Sequence, residues 1–98
     1  MQRTIKLNSP IKPFSKIWDK VCDLNWHRSN FHPKTLRLRV LRNTQPSVTL
    51  KGLLTCDETL RIYVVKIEGK YYIRDGHHRV TKARILGRKA IDALVAEV

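Results

Sequence analysis

The sequence predicts one small α+β domain, and three stretches carry that expectation. Residues 35–42 alternate apolar and basic side chains, as a half-buried strand does. Residues 60–74 form two β-branched and aromatic runs around Glu68-Gly69-Lys70, the pattern of a hairpin. Residues 71–87 then read as strand, tight turn and helix in succession.

The chain has 98 residues, enough for one domain with a modest core, and shows no repeat or low-complexity tract. Residues 1–14, punctuated by Pro10 and Pro13, predict an extended arm or a short edge strand around Thr4 to Leu7. Ser15 to Asn25 predicts a helix. Ser15 suits the N-cap, Phe14 can staple the start, and Ile17, Val21 and Leu24 form an apolar stripe. Residues 25–34 predict a loop, with Pro33 ending any helix before it. Cys22, His27 and His32 match no zinc spacing, so they read as ordinary packing. In Thr35 to Arg42, Leu36, Leu38 and Val40 point inward and Arg37 and Arg39 face solvent. That basic face either lies along nucleic acid or protects a sheet edge by charge. Asn43 to Pro46 is a loop. Ser47 to Leu54 predicts a short helix capped by Ser47, against which Gly52 argues. Cys56 to Thr59 turns the chain into the hairpin of Leu60 to Lys66 and Tyr71 to Arg74. Arg88 to Val98 closes the sheet, with Ile91, Ala93 and Val95 on one face.

Lys and Arg number 20 against 8 Asp and Glu, a formal net charge of +12. An excess of this size implies an anionic partner: a nucleotide, a nucleic acid or an acidic surface. Two cysteines, Cys22 and Cys56, make no disulfide framework, which points to a reducing cytoplasmic setting. No apolar run is long enough to span a bilayer, so no membrane partner is expected.

The chemistry concentrates at Asp75-Gly76-His77-His78-Arg79. Gly76 permits a tight turn, and Val80, Ala83 and Leu86 follow at helical spacing to Gly87, a suitable C-terminal residue. The first amides of a helix have no backbone partner, and its dipole makes that end positive. Glycine, two histidines and an arginine there build a site for an anion, most naturally a phosphate. Arg79 offers a bidentate fork to phosphate oxygens and is expected to be exposed. His77 and His78 can donate hydrogen bonds or act as acid and base near neutral pH. Asp75 either holds a metal ion, with Asp57 and Glu58 as further carboxylates from the preceding loop, or caps the turn.

Asp75-Gly76-His77-His78-Arg79-Val80, after a hydrophobic strand and before a helix ending in Leu86-Gly87, resembles the ParB/sulfiredoxin superfamily. Within it the likeness is to stand-alone ParB N-terminal-domain-like proteins. It continues through Ile91 to Val98 and, more weakly, over Gly52 to Val65. The resemblance implies a small ParB/sulfiredoxin-like domain, a mixed sheet with a few helices and a phosphate-binding turn at a helix N-terminus. It further implies a nucleoside di- or triphosphate, ATP or CTP, bound with Mg²⁺. Gly76, His77, His78 and Arg79 would hold phosphate and Asp75 the metal, with Asp75, His77 and His78 catalytic if the phosphate is hydrolysed or transferred. Sulfiredoxins carry a cysteine where His77 stands, so their thiol chemistry is not expected. Gly76 and Arg79 match the Gly-Glu-Arg-Arg turn of partition ParB proteins, with His77 and His78 in place of the middle pair. The alternative is a small basic DNA-binding module without catalysis, gripping the backbone through the phosphate-shaped turn and through Arg37 and Arg39.

Overall fold

The computed structural model describes residues 3–9, 15–21 and 30–97. In chain order the elements are β1 (Thr4–Lys6), α1 (Lys16–Val21), β2 (His32–Arg37), a 3₁₀ turn (Leu38–Val40), β3 (Leu41–Arg42), β4 (Ser47–Thr49), α2 (Leu50–Thr55), β5 (Ile62–Ile67), β6 (Lys70–Asp75), α3 (His77–Ile85) and β7 (Ala90–Glu97). A five-stranded mixed sheet runs β2-β7-β5-β6-β3, and β1 pairs with β4 in a separate ribbon. β5 lies antiparallel to β6 and parallel to β7. The hairpin between β5 and β6 turns on Glu68 (φ 51°) and Gly69 (φ 78°). Two successive left-handed residues match the right-handed twist of the flanking strands.

The strands β5 and β6 bury side chains on both faces, which explains their near-continuous apolar sequence. Ile62, Val64, Ile73 and Ala93 pack against Val80 and Ala83 of α3 on one face. Val65, Ile67, Tyr72 and Ala96 pack with Val21 of α1 and with Phe31 on the other. Val21, Ile62, Val64, Val65, Ile73 and Val80 are fully buried. Each such side chain contributes about 1.5–3 kcal/mol by leaving water. The α3 helix ends in a Schellman arrangement. The Arg88 amide donates to Ala83 O (3.0 Å) and the Gly87 amide to Arg84 O (3.1 Å), with Gly87 at φ 75°. No helix among the described residues is long and apolar enough to cross a membrane.

Ser15 caps α1 as expected, its Oγ accepting the Trp18 amide at 3.3 Å. The remainder of that expected helix, with Cys22, Leu24, Asn25, Trp26 and His27, lies outside the described residues, as do Pro10, Lys12, Pro13 and Phe14. Of the two N-terminal expectations the short edge strand forms, as β1 at Thr4–Lys6, and three other expectations are corrected. The Leu7 amide donates to Pro46 O (2.7 Å), the Leu50 amide donates to Arg3 O (2.9 Å), and Ile5 stands opposite Val48. Ser47 does not cap a helix, because this pairing draws Ser47–Thr49 into β4 and moves the cap to Thr49, whose Oγ1 accepts the Gly52 amide at 3.1 Å. The loop expected to run to Lys34 ends earlier, and β2 starts at His32. Pro33 is tolerated there because β2 is a sheet edge and needs no inner ladder amide at that position.

The third correction concerns 35–42, where the strand breaks at Arg37 into the 3₁₀ turn. With three residues per turn, Leu38 and Leu41 face the core together and Val40 rotates out, 38% exposed. Arg84 of α3 fixes this break. Its guanidinium donates to Leu38 O (3.2 Å), Leu41 O (2.8 Å) and Asn43 Oδ1 (3.0 Å). Arg37 and Arg39 are both exposed, but one ends a strand and the other lies in the turn, so they do not share one strand face.

Candidate functional site

The strand β6 delivers the chain to Asp75, and Gly76 then adopts φ 111°, ψ 24° before α3 begins. A side chain there is excluded twice. The angle is left-handed, and a Cβ would lie 2.5 Å from Ile62 Cγ2 and 2.9 Å from Ile62 Cβ. The first hydrogen bond of the helix runs from the Val80 amide to Gly76 O at 3.0 Å. The amides of His77, His78 and Arg79 therefore precede the helical ladder and stand at the positive end of its dipole. They border a cleft of about 290 Å³ whose wall also includes Asp57, Arg74 and Asp75. A larger cleft of about 660 Å³ shares Cys56, Asp57, Leu60 and Arg79 with it.

The side chains of the turn have separate environments. His77 is 5% exposed, and its Nε2 accepts the Thr44 amide at 2.9 Å. The Thr44 hydroxyl sits 3.2 Å from the same nitrogen and donates to Ile73 O at 2.6 Å. The ring is thus neutral, with its proton on Nδ1. Burial lowers its pKa from 6.5 to about 4, with His78 and Arg84 acting in the same direction and the nearby Asp75 opposing. At neutral pH its Nε2 is an occupied acceptor, not a donor to phosphate. His78 is half-buried, with Nε2 3.4 Å from Thr49 Oγ1. Its ring lies on Gly52, where a Cβ would stand 2.6 Å from His78 Cδ2.

Arg79 is half-buried instead of exposed, because Nη1 donates to the backbone oxygen of Arg61 at 2.6 Å. One arm of the expected fork is therefore engaged by the residue just before β5. Asp57 is exposed and its carboxyl is held below the usual range, first by the Thr59 hydroxyl and amide (2.6 and 2.9 Å) and less by the Arg79 charge. Asp75 is exposed at the end of β6, opposite Tyr63 where the register shifts. Arg74 is tied away, its Nη1 donating to Val21 O at 2.7 Å. Among the described residues no three His, Cys, Asp or Glu side chains gather as a metal cluster. Asp75, Gly76, His77, His78 and Arg79 are thus brought to one cleft, and Arg37 and Arg39 are not part of it.

Sequence reasoning did not find Thr44 or Gly52 as parts of this site. Thr44 carries no local signal, since it meets the turn through the fold. Gly52 did carry one. A glycine within a short helix marks a close approach, here by His78.

No curated protein matches the chain by sequence. Among solved structures, sulfiredoxin from Arabidopsis thaliana is similar. It shares 20% identity at a TM-score of 0.51, over 68% of this chain and 86% of that one. The fold is therefore the ParB/sulfiredoxin-like one that the turn motif implied. A family model described as Antitoxin VapB-like matches residues 5–98. That match takes in all but the first four residues, from β1 through the turn to β7, and the chain belongs to the antitoxin VapB-like family.

Proposed function

We propose that the chain is a ParB-like nucleotide-binding module that holds a nucleoside di- or triphosphate, ATP or CTP, with Mg²⁺ at Asp75–Arg79. The observation that carries this reading is the glycine-built turn, which presents the amides of His77, His78 and Arg79 to a cleft before the first helical hydrogen bond. Phosphate oxygens lie against these amides and against Arg79. Gly76 gives the close backbone approach, and His78 supplies a half-exposed ring. His77 contributes its amide, while its ring holds the turn to Thr44. Mg²⁺ is typically bound through one or two carboxylates together with substrate phosphates. Asp75 and Asp57 line the same cleft, so the residues present fit that mode. If the phosphate is hydrolysed or transferred, Asp75 holds the metal, His78 moves the proton, and His77 acts by positioning.

The test is a thermal-shift panel of ATP, ADP, CTP and GTP, each with and without Mg²⁺. A ligand of the folded state raises the melting temperature as its concentration passes its Kd. One nucleotide should do so preferentially, and Mg²⁺ should enhance it. No shift from any of them at millimolar concentration would sink the reading.

The family match favours a second reading, in which the chain is an antitoxin that binds and silences a partner protein. It requires a stable complex with a protein whose toxicity the chain relieves in growing cells. Wild-type nucleotide binding with no such partner would rule it out.

A further inference from the structure

Only part of one sheet face is covered by α3. Leu36, Ile62, Ile73 and Ala93 lie under Val80 and Ala83. Side chains alternate along a strand, so Lys34 shares that face with Leu36, and Tyr71 shares it with Ile73. Lys34 sits on β2 and Tyr71 on β6, with β7 and β5 between them. Yet Lys34 Nζ donates to the Tyr71 hydroxyl at 3.0 Å. A lysine reaches across two intervening strands only where no helix lies over them. This half of the face is therefore open among the described residues.

What stands on it is specific. The Tyr71 ring is half-buried and has two ammonium groups near its centroid, Lys34 at 5.4 Å and Lys66 at 5.3 Å. The two lysines come from different strands and converge on one ring, against the repulsion of like charges. Glu97 is the counter-charge, 3.8 Å from Lys66 and itself largely exposed. His32, two residues before Lys34, points to the same side. The Tyr71 hydroxyl is drawn below its ordinary pKa, first by the Lys34 hydrogen bond, which reflects the same concentration of positive charge.

We propose that this open half-face binds single-stranded nucleic acid, with one base stacked on Tyr71 and the adjoining phosphates against Lys34 and Lys66. An aromatic platform between cations is the general solution for a strand whose bases are unpaired, because every base has a π-face and every link a charge. The net charge of +12 gives the long-range attraction. Double-stranded nucleic acid keeps its bases inside and gains nothing from the ring. The site is separate from the Asp75–Arg79 turn and does not depend on nucleotide binding there.

The experiment is fluorescence anisotropy with labelled oligodeoxythymidylate and oligouridylate of about 12 nucleotides, within the usual range of site sizes. Tyr71→Phe keeps a ring and should stay within about two-fold of wild type, whereas Tyr71→Leu, which keeps apolar bulk, should weaken binding roughly ten-fold. Lys34→Gln with Lys66→Gln removes one exposed and one half-buried ammonium without setting a like charge beside Glu97, leaves folding intact by melting temperature, and should lower the salt slope by about 1.4, two phosphate contacts for a single strand. Arg79→Ala should bind the oligonucleotides as wild type does. The proposal is overturned if Tyr71→Leu and the lysine pair bind like wild type, if Arg79→Ala alone abolishes binding, or if duplex DNA competes as well as the single strand.

Discussion

The Nε2 of His77 accepts the backbone amide of Thr44 at 2.9 Å, a contact between residues 33 apart in the chain. It fastens the segment after β3 to the start of α3 and sets the protonation state of the ring. Protonating Nε2 would turn an acceptor into a donor facing a donor. Burial and this bond together keep the imidazole neutral, with a pKa of about 4.

Acid should therefore weaken the fold through His77. Unfolding returns the ring to its ordinary 6.5, so between there and about 4 the unfolded chain binds a proton that the folded chain refuses. The contribution is fully present above pH 6.5 and is lost as pH falls towards 4, by up to about 3 kcal/mol. Denaturant midpoints of wild type at pH 7, 5.5 and 4 should fall across that window. His77→Gln, which keeps an acceptor for Thr44 but cannot titrate, should show a flatter dependence. Parallel profiles for the two proteins would contradict the assignment.

Gly52→Ala should destabilise by about 1–3 kcal/mol, the ordinary penalty of overpacking. The new methyl meets the His78 ring and stands 2.9 Å from Thr49 Oγ1. In a His78→Ala background the same change should cost less, since the ring is the closest obstacle. A double-mutant cycle by chemical denaturation reads the coupling. Additive effects would mean that His78 does not occupy the space above Gly52.

Arg79→Ala should affect both binding and folding. Losing a charge-assisted hydrogen bond costs about 1.5–3 kcal/mol, so nucleotide affinity should drop by about one to two orders of magnitude. The ligand-free protein should also melt lower, because the Arg61 carbonyl loses its partner. Arg79→Lys should recover only part of the affinity, as an ammonium cannot hold a carbonyl and a phosphate in the planar geometry of a guanidinium. Calorimetric titration beside melting curves separates the two effects. Unchanged affinity in both variants would remove Arg79 from the phosphate site.

Duplex DNA should bind weakly at low salt and release as salt rises, since lysines and arginines displace condensed counterions. If the surface near Arg37 and Arg39 is the contact, Arg37→Glu with Arg39→Glu should lower both the affinity and its salt slope. An unchanged slope would exclude that surface.

Much of the sheet was legible because its signals are local. Ile62 to Ile67 and Lys70 to Asp75 alternate or run apolar, and Gly69 permits the turn between them. The glycine turn was legible for the same reason, since Gly76 and the helix after it lie within a dozen residues. What was missed depends on partners remote in sequence. Ser47 and Thr49 are both good caps, and only pairing with Thr4–Lys6 decides that Thr49 serves. Alternation through Arg42 looked unbroken, but Arg84, more than 40 residues later, supplies the donors that stabilise a 3₁₀ turn at Leu38. His77 reads as a free titrating side chain until Thr44 is known to face it.

The position of β7 constrains how the chain is born. It is the last strand in chain order, yet it lies inside the sheet between β2 and β5. At roughly 5–20 residues per second, a ribosome needs about 3–11 s to travel the 57 residues from Thr35 to its partner Asp92. Throughout that interval β2 has no neighbour, and β5, once made, presents a bare edge at Val64 and Val65. The nascent chain is thus sticky for seconds, and its yield in cells should depend on how well chaperones shield that edge until Ala93 and Ala96 arrive to close it.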